Sequence, residues 1–230
     1  MPASRSYGGV SAEDRRTQRR AALVAAALDI VGTRGHARMT VGGLCAGAGL
    51  NERYFYESFA TLDDVLLAVY DDVLGELTAA ILTAVAGAPD DARAKARAAI
   101  AAAVELLAGD GRKARVLFVE PLAAPVLNAR RADVSRAFVG LVVGQAHDFY
   151  GAAAALRAGS WADLAAAYLV GGFAETMAAW LRGDLAVSRA ELIERSTELF
   201  VLVAEHVVGT ASPDTTVPDT QRGASGTAGR

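Results

Sequence analysis

Within six positions the chain sets out Asn51, Glu52, Arg53, Tyr54 and Tyr56, side chains that hydrogen-bond and stack but do not themselves break bonds. Arginine donates paired hydrogen bonds to a guanine edge, worth roughly 1–3 kcal/mol of discrimination, and tyrosine donates to phosphate or stacks on sugar and thymine methyl. Thr40, upstream of this set, has a hydroxyl that can cap a helix and donate to a phosphate. Further back, Arg15, Arg16, Arg19 and Arg20 cluster where they could lie along a phosphate backbone or reach a minor groove. Covalent and metal chemistry have no comparable assembly. His36, His147 and His206 stand in dissimilar contexts, with no second ligand at metal spacing and no nucleophile elbow. Cys45 falls on an apolar helix face and reads as a small core residue. The GGLCAGAGL run lacks the G-x-G-x-x-G order after a strand that a phosphate loop requires. No enzymatic activity, cofactor or metal is therefore expected.

Two short helices and a turn must position the recognition set. Thr40 is a good N-cap for a helix with Val41, Leu44 and Cys45 at the i, i+3, i+4 spacing of one buried face, so a helix is predicted to about Ala46. Gly47 and Gly49 end it, Leu50 anchors the turn, and Asn51 caps the next helix. Starting at Glu52, that helix turns Phe55 and Phe59 inward and leaves Glu52, Arg53, Tyr54 and Ser58 outward near its N-terminus. Such a helix-turn-helix would place the outward set in a DNA major groove.

From about Arg20 to Val69 the chain resembles the DNA-binding domain of the tetracycline-repressor (TetR) family. The matching pieces are AALVAAALDIVGTRGHARMT, AGAGL, YESF and TLDDVLLAVYDDV. The resemblance implies a dimer through the last two helices, and a repressor rather than an activator. One departure stands out: the family commonly carries a phosphate-holding lysine at the start of the fourth helix, where this chain has Leu62.

Composition sets the outer bounds. The chain has 230 residues, 53% hydrophobic and only 7% aromatic, with alanine prominent in segment after segment, which favours close-packed helices over sheets and allows a substantial core. A single cysteine excludes an intrachain disulfide framework. The first residues show no apolar signal segment, no stretch reaches the ~20 apolar residues of a membrane span, and a cytoplasmic protein is expected. Through Ala60 there are eight arginines and no lysine against five acids, a surplus of three positive charges, whereas the rest of the chain is negative by six. The basic end is the helix-turn-helix end, as contact with DNA would require.

The expected fold is all-α: an N-terminal three-helix helix-turn-helix DNA-binding domain over 12–60 and a larger C-terminal helical ligand-binding and dimerisation domain over 61–208. A flexible arm over 1–11 precedes them and a disordered tail over 209–230 follows. A connector helix from Thr61 to Val85 joins the two parts; a helix beyond Asp90 and Asp91 follows, and Pro121 and Pro125 interrupt a short one carrying Phe118. Beyond Asp133 a long helix sets Phe138, Leu141, Val142, Gln145 and Phe149 on one stripe, with Gln145 as its polar member. These residues, with Phe118, Trp161 and Tyr168, are expected to line a mostly apolar effector cavity. The last two helices carry more apolar surface than one contact needs. Leu169, Phe173, Met177, Leu192, Leu199, Phe200 and Val203 are accordingly expected at a homodimer interface, although an ordinary intrachain core would use the same surplus.

Taken together, the residues point to a ligand-responsive regulator released from a palindromic double-stranded operator by a small hydrophobic effector, with the connector helix carrying the signal. A helical protein-binding scaffold without a DNA role is the competing reading. Against it stand the outward set at the recognition-helix N-terminus and the charge split.

Overall fold

The structure, a computed structural model, describes residues 11–210, and among them there are helices and turns but no strand. The arm over 1–10 and the tail from 211 lie outside the described residues. Ser11 is not part of an arm. Its hydroxyl accepts from the Asp14 N–H at 2.9 Å while the Asp14 carboxylate accepts from the Ser11 N–H, a reciprocal capping box that starts α1 (Ala12–Arg34). After a short 3-10 turn over His36–Arg38 come α2 (Val41–Ala48) and α3 (Glu52–Ser58), then the connector α4 (Leu62–Gly87). Thr61 and Asp64 form a second capping box at the start of α4, whose 26 residues span roughly 39 Å. The body adds α5 (Ala92–Gly109), α6 (Gly111–Phe118), α7 (Glu120–Ala123), α8 (Pro125–Tyr150), α9 (Ala152–Ala158), α10 (Ser160–Arg182) and α11 (Arg189–Thr210).

Two boundaries differ from those read in the sequence. Pro125 does not interrupt a helix but occupies the first helical position of α8, where its missing N–H costs nothing, so α8 begins eight residues before Asp133. Helix α9 went unanticipated because its alanine-rich AAAALRA run has no apolar period. Gly151 (φ 85) and Gly159 (φ 51) bracket it.

The parts of the chain expected as separate domains share one core. A single buried cluster runs from Leu23, Ala27 and Val31 of α1 through Leu44 and Phe55 of the helix-turn-helix and Val65, Val69 and Val73 of α4. It continues to Val104 of α5, Val116 of α6, Leu127 of α8 and Met177 of α10. Helix α1 thus serves two sides at once, packing on α2 and α3 and also on α4 and α6. Where it meets α6 the backbones nearly touch. A Cβ placed on Gly32 would lie 2.4 Å from Arg112 Cβ and 2.8 Å from Arg112 Cα, a backbone atom that cannot swing aside.

That approach makes Gly32→Ala a test of the joint. Overpacking should cost roughly 1–3 kcal/mol, offset by up to about 1 kcal/mol of gained helix propensity, so a net fall in the denaturation midpoint is expected. A midpoint equal to or above the wild type's would show that α1 and α6 separate freely.

Candidate nucleic-acid interface and apolar cavity

The helix-turn-helix is closed at each corner by a specific hydrogen bond. Thr40 Oγ1 accepts from the Gly43 N–H at 3.1 Å to start α2. Gly49, at φ 65 and ψ 32, ends it in the left-handed region, letting the Leu50 N–H return to the Cys45 carbonyl at 2.9 Å. Gly47 remains helical. Asn51 Oδ1 then accepts from the Tyr54 N–H at 3.2 Å and starts α3. Phe55 is wholly buried, with Phe59 6.2 Å away between ring centroids, so the α3 face opposite to Arg53 is locked into the core.

The outward face is less uniform than the sequence suggested. Asn51, Glu52, Arg53 and Tyr56 are exposed, Tyr56 by 62%. Tyr54 is half-buried, with the Arg19 guanidinium stacked 4.4 Å above its ring. Arg19 also reaches Glu57 at 3.5 Å, and Arg53 Nε donates to the same carboxylate at 3.0 Å. Arg19 is therefore the tie between α1 and α3 rather than a free phosphate contact, while Arg15 and Arg16 lie exposed on α1. Ser58 is corrected too. Its side chain turns inward, with a buried hydroxyl that has no hydrogen-bond partner. At the start of α4, Leu62 packs against the core beside Asp63 and Asp64, so no cation stands at the position where the resembled family commonly carries a lysine.

Behind the head lies a cavity of about 440 Å³, overwhelmingly apolar, between α4, α5, α6, α8, α10 and α11. Phe118, Phe138, Leu141, Val142, Gln145 and Phe149 line it, with Gln145 at the exposed rim. Trp161 and Tyr168 do not. They are 42% and 76% exposed on the far face of α10, because the helix is rotated to bury Ala165 and Ala166 and to turn Leu169 and Phe173 toward the cavity. The residues expected at a dimer interface are likewise dispersed. Met177 and Leu192 are in the chain's own core, at 1% and 4% exposure, and so are unavailable to a partner. Leu169, Phe173 and Phe200 line the cavity, the last two with ring centroids 6.0 Å apart, and Val203 packs within the chain against the α9–α10–α11 cluster. Leu199 alone of the seven is openly exposed, at 60%.

One constellation was not read from the sequence. Glu120, 2% exposed at the start of α7, accepts at Oε2 from the His36 N–H at 2.9 Å and from His36 Nδ1 at 2.6 Å, and at Oε1 from Arg115 Nε at 2.8 Å. His36, assigned no role on sequence grounds, thereby fastens the turn ahead of α2 to the body. Gly35 allows the contact, since a Cβ there would lie 3.1 Å from the Arg115 guanidinium and the backbone sits at φ 86. Burial pushes the Glu120 carboxyl up, but the hydrogen bonds from His36 and Arg115 outweigh it and hold the group below its ordinary range. The only trace in the sequence is a lone acid between Phe118 and Pro121. No group of three His, Cys, Asp or Glu among the described residues could hold a metal ion.

No family model and no curated protein matches this sequence. Solved structures do match. The fatty acid degradation regulator FadR from Bacillus halodurans superposes with a TM-score of 0.65 at 18% identity, over 80% of this chain and 94% of that one. FadR from Bacillus subtilis in complex with stearoyl-CoA gives 0.62 at 18% identity, over 80% and 97%. A putative transcriptional regulator from Pseudomonas aeruginosa PAO1 gives 0.65 at 20% identity, over 88% and 100%. Others with the same fold include TetR-like regulators from Rhodococcus and Streptomyces coelicolor. At such identities the likeness establishes the fold, an all-α arrangement with a helix-turn-helix at the N-terminal end.

The Glu120 joint carries its own test. Glu120→Gln replaces charge-assisted hydrogen bonds with neutral ones while Arg115, 38% exposed, can be solvated, and should cost roughly 1–3 kcal/mol at neutral pH. Because the folded carboxyl titrates below its ordinary value, the wild-type advantage is complete above the unfolded carboxyl's range and is lost as pH falls through the folded one. Unfolding midpoints of the two proteins should therefore converge on acidification, and a gap unchanged down to about pH 3 would contradict this.

Proposed function

We propose that the chain is a ligand-responsive, DNA-binding transcriptional regulator of the TetR type, a repressor that releases its operator when a small hydrophobic effector binds. The observation that carries this reading is the continuity between the two sites. Helix α4 begins beside Phe59, at the base of the recognition helix, and its Tyr70, Leu74, Leu77 and Ile81 form one wall of the apolar cavity. A ligand that displaces α4 must shift α3, and a coupling of about 1–3 kcal/mol would weaken DNA binding roughly 5- to 150-fold. The Glu120–His36 contact offers a second connection, since cavity-lining Leu117, Phe118 and Leu122 flank Glu120.

In this reading Arg53 meets base edges, Asn51, Glu52, Tyr54 and Tyr56 border it, and Thr40, Arg15 and Arg16 lie along the phosphates. The effector class fits an apolar cavity; among proteins of this fold, FadR from Bacillus subtilis has been solved with stearoyl-CoA and the multidrug binding protein EbrR with imidazole. A homodimer would place two heads on a palindrome, with half-site centres one turn, about 34–36 Å, apart or more. The exposed apolar residues that would join the copies are Trp161, Leu164 and Tyr168 of α10 with Leu199 and Leu202 of α11. The protein would act in the cytoplasm, with the DNA.

Selection of bound sequences from random duplexes tests the DNA reading. The logarithm of affinity for the selected site should fall linearly with log salt, with a slope of about 0.9 per phosphate contacted, and Arg53→Ala should lower the discrimination between specific and non-specific binding by about 1–3 kcal/mol. If no duplex is enriched, the protein is a scaffold of another kind. Leu199→Glu combined with Leu202→Glu should convert the dimer to a monomer in sedimentation, because buried unpaired carboxylates cost several kcal/mol; a wild type that is monomeric at micromolar concentration would defeat the interface.

A further inference from the structure

Three cations line the cavity: Lys95, Arg131 and Arg182. Two of them are already neutralised. Lys95 Nζ lies 2.6 Å from Asp90, and Arg182 is paired with Asp184 at 2.8 Å and with Glu175 at 3.4 Å. Arg131 has no ion pair or hydrogen bond among the described residues. The acids of this corner on α4 and α8 are occupied, for Asp71 holds Arg130 at 2.7 Å and Asp133 holds Arg136. Beside Arg131 the cavity wall also contains Tyr70, only 2% exposed, whose hydroxyl has no hydrogen-bond partner among the described residues, and Ser135, one helical turn along α8. Burial raises the Tyr70 phenol while Arg131 and then Arg130 pull it back, which leaves a protonated donor next to a cation.

These three groups sit at one end of a mostly apolar wall, whose other polar members on α8 are Gln145 and Tyr150. Along α8 the cavity residues run from Arg131 through Val134, Phe138 and Leu141 to Phe149, a rise of roughly 27 Å over about 18 residues. Resting on the effector reading above, we propose that Arg131, with Tyr70 and Ser135, is the anion-binding end of the cavity and that the effector is a long amphiphile with one anionic head and an alkyl body lying along α8. A guanidinium offers two parallel donors to a carboxylate or phosphate, and Tyr70 and Ser135 supply hydroxyls for the remaining oxygen lone pairs. Placing the charge here also puts it against Tyr70 of α4. Lys95, at the opposite end near Phe149, is occupied by Asp90 and stacked 5.4 Å from the Phe149 ring, so it is not the anchor.

The experiment is calorimetric titration of the full chain with dodecanoate, dodecyl phosphate and dodecanol, which share an alkyl chain and differ in the head. At least one anion should bind roughly tenfold or more tightly than the alcohol, and which of the two anions does so identifies the head group. Arg131→Gln should abolish that preference while leaving dodecanol affinity unchanged, and Tyr70→Phe should reduce it. Arg195→Gln, one charge fewer on α11 and outside the cavity, should keep it. An anion preference that survives Arg131→Gln, or that is lost equally in Arg195→Gln, overturns the assignment of Arg131. Equal binding of all three compounds overturns the anionic head but leaves the apolar effector reading standing, whereas binding of none removes both.

Discussion

Everything distinctive about this molecule depends on α1 packing with both of its sides. A three-helix head of about 50 residues can bury little on its own, and small domains gain marginal stability from their cores. Here the head leans on the body. Leu23, Ala27 and Val31 belong to the same buried cluster as Val104, Val116 and Leu127. The joint is made specific by contacts that tolerate little displacement: the Gly32–Arg112 approach, the pairing of the Arg112 guanidinium with Asp29, and the buried Glu120 carboxylate satisfied from both sides. Packed interfaces of this density shift between discrete arrangements instead of deforming smoothly, which is the property that communication between a cavity and a recognition helix requires.

Local structure in the head was readable because each feature there is set by a short stretch of chain. Thr40, Gly49 and Asn51 act through bonds to residues a few positions away, and Phe55 and Phe59 declare their face by spacing alone. The same holds for the stripe from Phe138 to Phe149. What spacing cannot convey is rotation about a helix axis when nearly every face is apolar. In α10 small alanines, Ala165 and Ala166, are buried while Tyr168 and Leu164 face out, so size gave no guide to direction. Met177 and Leu192 were assigned outward for the same reason. His36 and Glu120 illustrate a second limit, because a pair 84 residues apart has no local signature.

Helix α8 differs in kind from its neighbours. Leu127 is its one fully buried residue; Val134 and Phe138 are only partly buried against the core and, with Leu141 and Val142, also border the cavity. An apolar body bound in the cavity would add to the packing of this helix. Ligand binding would then stabilise the fold by mass action, by an amount that grows with the logarithm of the ligand's excess over its dissociation constant.

The Glu57 carboxylate, shared between Arg19 and Arg53, bears on how much flexibility the recognition helix retains. An untethered arginine side chain loses up to about 2 kcal/mol of rotamer entropy when it is fixed. Anchored at Nε by Glu57, with its two terminal nitrogens still outward, Arg53 has already surrendered part of that freedom before any partner arrives. Because the Arg53 side chain is 83% exposed, the pair is worth only a fraction of a kcal/mol and is readily released. The arrangement therefore resembles a loosely sprung pointer, held near one direction yet able to yield where the fit is poor.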